Sequence, residues 1–194
     1  MTSDTAAGTD PRVARSREKL LDAATELLVE SGARGVTVDA VAERSGVAKS
    51  TLYRHWSSRT ELLTDVLRSN VPEIDVPDLE LGFQGALRAL VAQLAGSLAD
   101  PRQACILPAI FALRQQIPEV GELSERDQDE KTEAIRVVLE LGVDEGVIPA
   151  GLDPTLVGYQ LLGPLVLAAL TGNQVDTAAL ADQLVDRFVG SMGA

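Results

Sequence analysis

The sequence predicts an all-α fold in two parts: an N-terminal three-helix unit containing a helix-turn-helix, and a longer helical domain behind it. Three observations carry that expectation. Apolar residues recur at helical spacing along nearly the whole chain, with no convincing alternating strand. The stretch VPEIDVPDLE, with Pro72 and Pro77, breaks the periodicity. The charge changes at the same place, from ten basic and ten acidic residues up to position 70 to seven basic and nineteen acidic beyond it. The expected boundaries are a disordered N-terminus at 1–10, a helix-turn-helix domain with its connecting helix at 11–70, and a helical domain at 71–194.

The first helix is expected from about Arg12 to Ser31, with Leu20, Ala24, Leu27 and Leu28 on one face and Gly32 and Gly35 ending it. Thr37 can cap a short helix near 38–45, Gly46 supplies a turn, and a second short helix runs from about Ala48 to Trp56. Ser58-Arg59-Thr60-Glu61 has the form of a capping box opening a helix to about Ser69. Beyond the break, helices are expected at 79–99, 102–117, 119–145, 154–171 and 177–190. Asp100-Pro101, Ile117-Pro118, Pro149-Ala150-Gly151 and Gly172-Asn173 separate them.

At 194 residues the chain can bury a core without staples. His55 and Cys105 are its only histidine and cysteine, so disulfide frameworks, clustered Cys/His zinc sites and a Ser/His/Asp triad away from position 55 cannot be built. There is no phosphate-binding glycine loop. An enzyme is therefore not expected, nor any catalytic residue, metal or cofactor. The first residues lack the apolar core of a signal peptide, and no stretch of about 20 residues is apolar enough to span a bilayer. A soluble, cytoplasmic protein with no membrane partner is expected.

A net charge of −12 argues against a nucleic-acid partner only if the acid is spread evenly. Between Glu43 and Glu61, Arg44, Lys49, Arg54 and Arg59 occur with no acidic residue among them, together with Tyr53, His55 and Trp56. A helix-turn-helix needs two short helices crossing closely, a glycine-tolerant turn, and apolar residues pinning both to a core. Val38, Val41 and Ala42, then Gly46-Val47, then Leu52 and Trp56 supply these. With Leu52 and Trp56 inward, Lys49, Ser50, Tyr53 and Arg54 spread over an adjoining arc suited to a major groove, while Thr51 and His55 lie to the side, better placed for phosphates.

Residues 37–63, TVDAVAERSGVAKSTLYRHWSSRTELL, resemble the DNA-binding domain of the TetR family of bacterial transcriptional repressors. The features that match are Thr37-Val38, Val41-Ala42, Gly46-Val47, Ser50-Thr51-Leu52-Tyr53, an aromatic at 56, and a basic residue at 59 before Glu61-Leu62-Leu63. With the preceding helix the resemblance covers about the first 70 residues. It implies that helix 48–56 enters the major groove of operator DNA, with Lys49, Ser50, Thr51, Tyr53 and His55 at contact positions, and Thr37 and Arg59 holding phosphates. Three residues depart from the family pattern: Ala48 where a capping serine is common, Trp56 where Phe is usual, and Arg59 where Lys is usual.

A helix-turn-helix reads two half-sites as a two-fold dimer, so the second part must carry a dimer surface. Helix 154–171 is apolar nearly all round, which implies burial on two sides, and Leu180, Leu184 and Phe188 form a stripe on the last helix. The resemblance implies that these helices pair with their copies, placing Leu161, Leu165, Leu180, Leu184 and Phe188 at the homodimer interface. It also implies a cavity among the middle helices for a small-molecule ligand, with Leu87, Leu90, Leu94, Ile110, Phe111, Asp127 and Val138 as its expected lining. Asp127 and Glu130 interrupt an apolar stripe and are expected to face water or to pair with Arg114 or Arg126, the alternative being that they orient a cationic or hydroxylated ligand. Pro108 interrupts its helix and hints at a cavity wall.

The resulting expectation is a sequence-specific DNA-binding transcriptional regulator, a homodimeric repressor released from its operator by a small molecule. A small-molecule carrier whose helix-turn-helix is only scaffold fits the same sequence. It would bind DNA weakly and without sequence preference.

Overall fold

The structure, a computed structural model, describes residues 11–100, 102–171 and 175–192. The stretch 1–10 expected to be disordered lies outside the described residues. The described residues form only helices, with no strand among them. The chain divides into two compact units, Met1–Ser69 and Asn70–Ala194.

In the first unit, α1 (Pro11–Gly35) is interrupted at Gly32, whose φ of 64° takes the backbone out of the helix. Thr37 then caps α2 (Val38–Ser45) by accepting from the Ala40 N–H at 3.1 Å, and Gly46 closes it in the left-handed conformation at φ 66°. α3 (Lys49–His55) starts at Ala48 with no side-chain cap, and α4 (Arg59–Arg68) is capped by Ser58 accepting from the Glu61 N–H. The capping box is not reciprocal: Glu61 reaches back past Ser58 to the N–H and hydroxyl of Ser57, at 2.6 and 2.7 Å. These bonds hold its carboxyl below the usual range. Leu20, Leu28, Val41, Leu52, Leu62 and Val66 close the core of the unit.

The second unit is built around α5 (Gly82–Leu98), which follows a short 3-10 turn (Leu79–Leu81) and packs against α7 (Pro118–Asp144), α8 (Pro154–Thr171) and α9 (Thr177–Met192). The helix expected from 79 thus begins three residues later, because Gly82 at φ 69° breaks the register. α5 has no cap of its own, and Glu145 at the end of α7 supplies one by accepting from the Phe83 N–H at 3.1 Å. α6 (Gln103–Leu113) is shorter than expected. α5 and α7 run antiparallel, the start of one beside the end of the other, where a Cβ on Gly142 would lie 2.6 Å from the Phe83 ring. Any side chain there would have to displace a fully buried aromatic. Arg88 on α5 ties α9 down through Asp182 and Asp186, at 2.7 and 2.6 Å.

Burial on α8 is one-sided. Val157, Leu161, Leu165 and Ala168 are buried, whereas Leu156, Tyr159, Leu167 and Leu170 are exposed. By length and composition α8 is long and apolar enough to cross a membrane, contrary to the expectation of no such stretch, but the core helix of a soluble protein meets the same measure. Three residues expected at the dimer interface, Leu161, Leu165 and Phe188, are instead spent in the subunit's own core, and Leu180 and Leu184 pack half-buried against it. An all-round apolar pattern shows that a helix has two faces to cover, but not which face the subunit itself covers.

Candidate functional site

On α3, Leu52 is fully buried while Lys49, Ser50, Tyr53 and Arg54 are exposed, so the polar arc expected from helical spacing faces solvent. Tyr53 is 56% exposed. Thr51 and His55 are half-buried at its edge. Because the Thr37 hydroxyl accepts from Ala40 N–H, its proton remains available to donate to an anion.

Two of the four basic residues of the run, however, are paired with acids within the unit. Arg44 is held by Glu30, at 2.7 Å, and Glu26 on α1, which raises its pKa and lowers that of Glu30. Lys49 Nζ lies 2.5 Å from Asp39 Oδ1, a contact that raises its pKa. Both partners are well exposed and the pair is screened by solvent, which leaves Lys49 free to exchange Asp39 for a phosphate or a guanine edge. Arg59, expected on a phosphate, donates instead to the carbonyls of Val36, at 2.6 Å, and Ala33, binding the start of α4 to the α1–α2 connection. Arg54 has no ion pair among the described residues.

His55, expected at the DNA, turns toward α1, where its Nε2 is 3.1 Å from Ser16 Oγ. The Ser16 hydroxyl also donates to the Val13 carbonyl at 2.9 Å, an arrangement that suits an imidazole protonated at Nε2. Partial burial, with Arg17 nearby, pushes its pKa below 6.5 and favours the neutral ring.

Sequence reasoning missed Asp65. This carboxylate accepts from the Trp56 indole at 2.9 Å, from Arg68 at 3.3 Å and from Arg17, while Arg17 also stands 5.6 Å above the Trp56 ring. It therefore anchors the end of α3 to both α4 and α1. The only signal in the sequence was an acid beside the apolar stripe Leu62, Leu63, Val66 and Leu67.

The second unit contains a cavity of about 310 Å3. α5 contributes Leu94 and Leu98, and α6 contributes Gln103, Leu107, Ile110 and Phe111. Arg114 at the end of α6, Asp127, Gln128, Lys131 and Ile135 on α7, and Tyr159, Leu162 and Val166 on α8 also line it. Of the expected lining, Leu94, Ile110, Phe111 and Asp127 are present. Leu87, Leu90 and Val138 are not, since they lie in the core further toward the closed Phe83–Gly142 end. Asp127 pairs with Lys131, one turn away, and not with Arg114 or Arg126. Gln128 donates to the Tyr159 hydroxyl at 2.8 Å, joining α7 to α8.

Comparison with known proteins covers both units. Residues 20–66 match the family model described as bacterial regulatory proteins, tetR family, and residues 77–188 match the tetracyclin repressor-like C-terminal domain. The chain is 28% identical over 182 residues to YdeS of Bacillus subtilis, an uncharacterised HTH-type transcriptional regulator, covering 93% of this chain and 91% of that one. A TetR transcription regulator from Haloarcula marismortui superposes with a TM-score of 0.77 at 18% identity, over 92% of this chain and 98% of its own. A transcriptional regulator from Rhodococcus gives 0.72 at 22%, over 91% and 95%.

Proposed function

The chain belongs to the TetR family of bacterial regulatory proteins and is a helix-turn-helix transcriptional regulator; from that premise we propose that it acts in the cytoplasm as a homodimeric repressor, released from its operator by a small molecule in the cavity of the second unit. It works by binding, not by catalysis. The observation that carries the DNA-binding part is α3, pinned inside by Leu52 and Trp56 while Lys49, Ser50, Tyr53 and Arg54 face outward. Lys49 and Arg54 suit guanine O6 and N7 or phosphate, and Ser50 and Tyr53 add adaptable contacts. Thr37 and Thr51 contribute at the rim.

The dimer is assigned to the exposed side of α8, with Leu156, Tyr159, Leu167 and Leu170 as its apolar centre and Leu180 and Leu184 of α9 at its margin. Four large apolar side chains on one helix face are the usual mark of an interface in a chain of this size. Release requires that the ligand bind the arrangement unable to engage DNA more tightly than the one that can. The acidic surplus of the second unit keeps that unit off the phosphates.

An operator titration at several salt concentrations tests the assignment of α3. Arg54→Ala is expected to weaken binding and to flatten the slope of log affinity against log salt by about 0.9 per subunit if Arg54 meets a phosphate. A variant with unchanged affinity and slope would remove Arg54 from the interface.

A further inference from the structure

We propose that the ligand of this cavity is a lipophilic anion of about ten heavy atoms, its charged head held by Arg114 and Lys131 and its tail by the aliphatic wall. The proposal rests on the reading of the cavity as the ligand site and specifies what fills it.

The charge lining the cavity inverts that of the domain around it. Residues 71–194 contain seven basic and nineteen acidic residues. Two of those seven, Arg114 and Lys131, line the cavity, against a single acid, Asp127. Lys131 and Asp127 satisfy each other, with their side chains only 19% and 25% exposed. Arg114 has no carboxylate partner among the described residues. Its guanidinium stands 5.8 Å over the Phe111 ring. Stacking of that kind occupies the face of the guanidinium and leaves its in-plane N–H donors available, which is the geometry that takes a carboxylate through two parallel hydrogen bonds.

Position separates head from tail. Arg114 and Phe111 are exposed and mark the mouth, whereas Leu94, Leu98, Ile110, Ile135 and Leu162 form an apolar interior. At roughly 30 Å3 for a water-sized group, 310 Å3 accommodates on the order of ten heavy atoms. An anion at the mouth meets Arg114 directly and shares the ammonium of Lys131 with Asp127. An ammonium head would have to displace Lys131 from Asp127 while lying beside two positive charges, and a neutral head would leave the exposed guanidinium to water and gain no charge-assisted bond from it.

The test is calorimetric titration of the full chain, at neutral pH, with three probes that share a tail and differ in the head: decanoate, decanol and decylammonium. Decanoate is expected to bind roughly tenfold more tightly than decanol, with decylammonium weakest. Arg114→Gln should erase most of the advantage of decanoate. Asp127→Asn, which keeps the side chain's size and frees Lys131, should tighten decanoate binding several-fold, and thermal melts establish that each variant is folded. Equal affinities for decanoate and decanol, both abolished by the cavity-filling Leu162→Trp, would overturn the anion while leaving the cavity as the ligand site. Tightest binding of decylammonium would overturn it in favour of Asp127 as the head contact. If no probe binds, or if Leu162→Trp leaves decanoate binding intact, the cavity reading falls and the anion falls with it.

Discussion

Replacing Tyr53 with alanine is expected to weaken operator binding on the order of a hundredfold while leaving the protein folded and dimeric. A good side-chain contact in the major groove is worth about 1–3 kcal/mol, and a two-fold dimer loses it twice. Because Tyr53 is 56% exposed and its neighbour Leu52 carries the packing, truncation removes a contact surface without opening a cavity. Leu52→Ala is the informative contrast, since it empties a fully buried position and is expected to cost about 2–5 kcal/mol of stability. Mobility-shift titrations on the operator, paired with thermal melts, separate the two effects. Wild-type affinity for Tyr53→Ala would mean that α3 does not present this face to DNA.

Leu167→Asp is expected to convert the dimer to monomers and, with them, to lose most operator affinity. Leu167 is 61% exposed in the isolated subunit, so the carboxylate is tolerated in the monomer. In a two-fold interface across α8 the same substitution occurs on both copies, and two carboxylates would be buried without partners, a cost of several kcal/mol. Sedimentation equilibrium reads the outcome directly. A dimer mass retained by a folded Leu167→Asp protein would place the interface elsewhere.

Much of this architecture is legible in the residues themselves. Gly32, Thr37, Gly46 and Ser58 act locally, through left-handed backbone and side-chain caps, and each terminates or starts a helix where its chemistry says it should. The polar arc of α3 follows from helical spacing once Leu52 faces inward. What is not legible depends on neighbours distant in sequence. Arg59 and His55 are expected at the DNA from the sequence, yet the Val36 carbonyl and Ser16 hold them within the unit, as Glu30 holds Arg44 of the basic run. Asp65 gave little sign of its role because Arg17 and Trp56 lie 48 and 9 residues away.

The cavity illustrates a different limit. Leu87 and Leu94 are two turns apart on one face of α5, indistinguishable by periodicity, yet Leu94 lines the cavity and Leu87 packs into the core. Helical spacing specifies direction around an axis, not depth along it. The closed Phe83–Gly142 contact determines that depth, and it joins residues from opposite ends of antiparallel helices. Likewise α8 is apolar on all sides in sequence, and only the packing of α5, α7 and α9 reveals which half remains uncovered.

Selection of bound fragments from sheared genomic DNA at about 0.1 M salt, followed by sequencing, tests the central claim most directly. A sequence-specific dimer should enrich a few fragments sharing an inverted repeat with half-sites about one helical turn apart, and Tyr53→Ala should lose them. Uniform, salt-sensitive retention of every fragment by ligand-free protein would contradict the account and leave a small-molecule carrier with a helix-turn-helix scaffold in its place.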